Sequence, residues 1–83
     1  MNKYYKLLNR FNKMPKDFTF DEAKKLLLYS DFELSNKGKT SGSRVQFSYN
    51  NVNIDLHKPH PQKYLKRYQL ERIKQVLQKV GKL

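Results

Sequence analysis

Cysteine is absent from this 83-residue chain, which excludes disulfides, thiolate nucleophiles and cysteine-type zinc sites. Long apolar runs are missing too. No stretch approaches the length of a membrane span and no signal-peptide core follows the N-terminus, so the expected location is the cytoplasm. Internal repeats and low-complexity segments are also lacking, which leaves one folding unit. Acidic residues are scarce: seven stand against eighteen Lys and Arg, for a formal net charge of +11.

That imbalance is unevenly spread. Residues 1–16 carry five bases and no acid, 17–56 carry five bases against six acids, and 57–83 carry eight bases against Glu71 alone. Two basic ends flank a neutral middle, and a field of this sign draws polyanions. Nucleic acid is therefore the leading partner, ahead of an anionic membrane surface and an acidic protein. The membrane role ranks last, because the apolar stripes of the helices are needed for a core. Six tyrosines and five phenylalanines are too many for a disordered basic tail, although only 37% of residues are hydrophobic. The chain should fold, with the thin core its length permits.

Residues 3–12, "KYYKLLNRFN", place Tyr4, Leu7, Leu8 and Phe11 at helical spacing opposite Lys3, Lys6 and Arg10. That helix must end before Met14-Pro15. Thr19 and Glu22 have the spacing of a capping box, which predicts a second helix to about residue 29 that buries Phe20, Ala23, Leu26 and Leu27. Phe32 and Leu34 then open a strand that runs into the basic, glycine-containing loop "NKGKTSGSR".

Val45, Phe47 and Tyr49 alternate with Arg44, Gln46 and Ser48, and after Asn50-Asn51 the alternation resumes with Val52, Ile54 and Leu56 against Asn53, Asp55 and His57. Asparagine tolerates the positive φ of a two-residue hairpin turn. The register this implies sets Tyr49 against Val52, Phe47 against Ile54 and Arg44 against His57, with one face apolar and the other polar. Pro59 and Pro61 stop further pairing. From about residue 67 a helical stripe of Tyr68, Ile73, Val76, Leu77 and Val80 predicts a last helix, closed by Gly81. The expected class is α+β: a three-stranded antiparallel sheet with helices on one face, leaving Arg44, Gln46, Asn53, Asp55 and His57 on the open side.

Metal-free RNA cleavage needs a base for the ribose 2′ hydroxyl proton and a cation to stabilise the phosphorane. His57 beside Arg44 supplies both, and a guanidinium next to an imidazole disfavours the protonated ring, leaving the neutral form a base requires. His60, held between prolines, serves as base or as the acid for the leaving oxygen. The opposing reading is that His57 decorates a solvated sheet face and His60 fills a turn. Gly42-Ser43, where the loop meets the strand, offers backbone N–H groups to a phosphate, with Lys37 and Lys39 adding charge and Lys58 and Lys63 available for the RNA backbone; a plain loop is the alternative. A metal reading of His57, His60 and Asp55 fails for want of regular geometry and a third ligand. Ser-His-Asp spacing, a Walker loop and paired glutamates are all absent, and no cofactor is expected. Tyr64 and Tyr68 suit packing at the core or its rim better than stacking on bases.

Four segments in this order, "AKKLLLYSDFEL", "GSRVQF", "LHKPHP" and "YLKRYQLERIKQVLQKVG", make residues 20–81 resemble the HicA family of messenger-RNA interferase toxins. The resemblance implies a fold similar to a double-stranded-RNA-binding domain, a metal-independent ribonuclease activity and restraint by a cognate HicB-type antitoxin. Residues 1–18 then form an N-terminal helical extension and 19–83 the HicA-like domain. Carried across by position, Ser43 and Arg44 match the loop-strand element and His60 matches the histidine after the third strand. The family has a histidine after Gly-Ser, where this chain has Arg44, and arginine is a poor base. His57 is a local addition and the candidate replacement. Two rivals remain: an RNA-binding module of the same fold without catalysis, and a basic protein that docks an acidic partner.

Overall fold

The spacing of Tyr4, Leu7, Leu8 and Phe11 winds Lys3–Asn12 into helix α1 and carries Phe11 to full burial. Pro15 stops the helix, and Met14 leaves it at a φ of 50°. A computed structural model describes residues 3–35, 44–59 and 63–83 of the chain. Helix α2 spans Phe20–Tyr29 behind the expected capping box: Thr19 Oγ1 accepts from the Glu22 N–H at 3.1 Å, and Glu22 Oε1 accepts from the Thr19 N–H at 3.0 Å. Strands β1 (Glu33–Ser35), β2 (Arg44–Tyr49) and β3 (Val52–His57) form an antiparallel sheet in the order β1-β2-β3, and α3 covers Arg67–Lys79. This is the α+β architecture the periodicities predict.

Asn50 and Asn51, at φ of 49° and 65°, make the two-residue turn of the β2–β3 hairpin, and the register agrees at every pair from Tyr49↔Val52 to Arg44↔His57. Phe47, Ile54 and Leu56 face the helices and are buried with Phe11, Leu26, Leu27, Ile73 and Leu77 in one core. At ~25 cal/mol per Å², burying each such side chain stabilises the fold by about 1.5–3 kcal/mol, so this layer carries the structure.

One of the expected placements changes. Tyr68 lies off the buried stripe of α3 with 66% of its surface exposed, and Gln69 and Leu70 occupy the buried side instead. The helix begins at Arg67, so Tyr68 sits in its first turn with its ring beyond the reach of the core. Tyr64, 42% exposed and bridged to Thr19, keeps a position at the rim. Leu34 faces the apolar side opposite Phe47, yet remains 43% exposed because β1 is a three-residue edge strand.

Residues 63–65 fold back along the approach to α2. The Leu65 N–H donates to the Phe18 carbonyl at 2.8 Å, the Phe20 N–H donates to the Lys63 carbonyl at 3.3 Å, and Thr19 pairs with Tyr64 in an isolated antiparallel bridge. This seam fixes the start of α3 relative to α2, and so sets where the end of β3 lies between them.

Candidate active site

The hairpin turn dictates the site. Hydrogen-bonded and non-hydrogen-bonded pairs alternate away from the Tyr49–Val52 closing pair, which puts Arg44 and His57 at a non-hydrogen-bonded position where facing side chains stand closest, with Cα atoms roughly 4.5 Å apart. Both residues are exposed on the open side of the sheet, together with Asn53 and Asp55. Neither the Arg44 guanidinium nor the His57 ring has a hydrogen-bond or ion-pair partner among the described residues.

The main chain of His57 is held by α3. Gln69 is 92% buried by virtue of an exposure of 8%, and its Nε2 donates to the His57 carbonyl at 3.2 Å while its Oε1 accepts from the Lys66 N–H at 2.9 Å. One amide thus caps the start of α3 and anchors the last residue of β3. No periodicity argument finds this contact, because a glutamine inside an apolar stripe reads as an interruption.

Two clefts flank the end of β3. One, of about 380 Å³, lies between β3 and α3 and is lined by Asp55, His57, Tyr68, Gln69 and Arg72 among others. The other, of about 390 Å³, lies at the start of α2 and brings Lys58 and Lys63 together around Pro59, Thr19 and Asp21. The Lys58 ammonium stands 5.6 Å from the centre of the Phe20 ring, a cation–π contact that directs its charge across this cleft. The structure therefore joins Arg44 with His57 and Lys58 with Lys63. His60, Ser43, Lys37 and Lys39 lie outside the described residues. Among the described residues, no three His, Asp or Glu side chains gather to hold a metal ion, and no helix is long and apolar enough to cross a membrane.

The strongest electrostatic feature joins α1 to α2. Arg10 donates from Nε to Glu22 Oε2 at 2.7 Å and from Nη2 to Asp17 Oδ1 at 3.0 Å. The hydrogen bond from Arg10 holds the Glu22 carboxyl below the usual carboxylate range, and the same bond raises Arg10 further above its ordinary value. Sequence reasoning found Glu22 through its capping role and missed Arg10, whose contact depends on how α1 lies against α2.

A three-stranded antiparallel sheet with helices on one side and an arginine–imidazole pair on the other defines a small α+β protein. The family model described as the HicA toxin of bacterial toxin-antitoxin matches residues 20–81, and the chain belongs to that family. Helix α1 precedes the matched residues. No curated protein and no solved structure matches the chain.

Proposed function

We propose that this HicA-family toxin is a metal-independent endoribonuclease acting on single-stranded or messenger RNA. The observation that carries the reading is the Arg44↔His57 pairing on the uncovered face of the sheet. His57 or His60, as base, takes the proton of a ribose 2′ hydroxyl, and the oxygen attacks the adjacent phosphorus. Arg44 neutralises the charge that develops on the phosphorane. The 5′ oxygen of the next nucleotide leaves with a proton from an acid, yielding a 2′,3′-cyclic phosphate and a 5′ hydroxyl. Lys58 and Lys63, together with Lys37, Lys39 and the Ser43 loop, hold the backbone. In this reading residues 1–18 extend a toxin domain of residues 19–83. The toxin acts on cytoplasmic messenger RNA, and a HicB-type antitoxin restrains it.

Incubating RNA with the purified protein in EDTA tests the reading, since cyclic phosphate ends are the expected product. His57→Ala should lower the rate by about 10²–10⁴-fold if His57 is the base, and Arg44→Ala by about 10²–10³-fold. Both variants should melt as the wild type does, because neither side chain packs in the core. Expression alone should arrest growth, and co-expression of the neighbouring antitoxin frame should relieve it. Intact RNA with strong salt-dependent retention would favour a binding module instead, a reading supported by Arg44 standing where the family has histidine.

A further inference from the structure

Tyr68 has no role in the core. The buried side of α3 is supplied by Gln69, Leu70, Ile73, Val76 and Leu77, while the Tyr68 ring is 66% exposed at the mouth of the 380 Å³ cleft beside His57. We propose that this cleft seats one unpaired nucleobase of the RNA, a guanine, stacked on Tyr68 and read by Asp55 and Arg72. The proposal rests on the ribonuclease reading above and names the base that its site takes.

Size and charge exclude other occupants. At about 380 Å³ the cleft is at the small end of ligand sites, large enough for one base and too small for a stacked base pair, whose faces are in any case covered by its neighbours. Its lining sets the carboxylates of Asp55 and Glu71 beside the single guanidinium of Arg72, so the cleft has no excess of positive charge with which to hold an acidic peptide or a second phosphate. A neutral heterocycle with hydrogen-bond donors on its edge suits these walls, and an exposed tyrosine is a stacking platform for it.

The polar groups choose among the bases. Glu71 Oε2 is occupied by Arg67 Nε at 3.3 Å and Gln69 is spent on His57 and Lys66, whereas Asp55 and Arg72 have no hydrogen-bond or ion-pair partner among the described residues. A carboxylate accepts two parallel donors, and of the four bases guanine alone presents two adjacent ones, at N1 and N2. Arg72 supplies the donor for O6 or N7.

The test is direct binding of the full chain to tetranucleotides with 2′-fluoro sugars, which lack the attacking hydroxyl, differing only in whether one position is G, A, C or U. Guanine should bind about ten-fold more tightly than uracil, the scale of one well-made base contact. Tyr68→Ala should weaken binding of the guanine oligomer by about ten-fold with an unchanged melting curve. Asp55→Asn should erase the guanine preference while the other three affinities hold. Equal affinities for the four oligomers, no binding at all, or an indifferent Tyr68→Ala would each overturn the proposal. The ribonuclease reading fails separately, on intact unmodified RNA in EDTA.

Discussion

The side-chain amide of Gln69 donates to the main-chain carbonyl of His57 at 3.2 Å, so the residue at the centre of the candidate site is held by a helix twelve positions further along the chain. The same amide satisfies the Lys66 N–H, and both of its contacts lie within a largely buried side chain.

Replacing Gln69 should therefore act on stability and on the site together. Gln69→Ala leaves two main-chain groups without partners and should cost about 2 kcal/mol, lowering Tm by roughly 8–16 °C in a domain of this size. Gln69→Glu keeps an acceptor for Lys66 but loses the donor to His57, and should be the worse of the two at neutral pH. Thermal melting ranks the two variants, and amide hydrogen exchange at Lys66 should quicken in Gln69→Ala but not in Gln69→Glu. Melting curves that coincide with the wild type would remove the anchor from the account.

Acid should loosen the junction of α1 and α2. The folded-state carboxyl of Glu22 titrates below its unfolded value, chiefly because Arg10 donates to it. Its contribution is complete above the unfolded value of about 4.3 and is lost as the pH falls through the lower folded value. Glu22→Gln should cost up to about 1 kcal/mol at neutral pH, Arg10 being partly open to solvent. The variant and the wild type should converge in stability as the pH drops below 4, which urea titrations at several pH values would reveal. A constant gap across that range would contradict the linkage.

Phe11 binds α1 to the rest of the fold. Its ring is fully buried and meets Phe18 edge-on at 5.5 Å between centroids. Phe11→Ala should destabilise the protein by about 3–5 kcal/mol, a large share of the 5–15 kcal/mol typical of a small domain. Chemical denaturation measures this directly. A loss below about 1 kcal/mol would mean that the helix ahead of the family region is an appendage that the core does not need.

The hairpin was legible because Asn50-Asn51 is a local signal and strict alternation on both sides leaves one register that keeps Val45, Phe47, Ile54 and Leu56 together. The helices were legible from their 3.6-residue periods and the Thr19–Glu22 box. What escaped depends on contacts between distant segments. Helical spacing assigns Tyr68 to the apolar stripe, but the stripe is broad in the first turn, and the direction in which α3 leaves β3 decides which residue there is buried. That direction comes from the seam between residues 18–20 and 63–65, whose bonds are made by main-chain groups and leave no mark in residue types. Arg10 and Gln69 escaped for a related reason: each is a polar side chain whose partner is twelve residues away.

The helices cover one side of the sheet only, so Arg44, Asn53, Asp55 and His57 carry almost none of the packing that keeps the chain folded. The candidate site and the core thereby draw on alternate residues of the same two strands. Substitutions at these four positions should therefore leave the layer beneath undisturbed. The upper surface of the sheet can be rewritten without rebuilding its foundation.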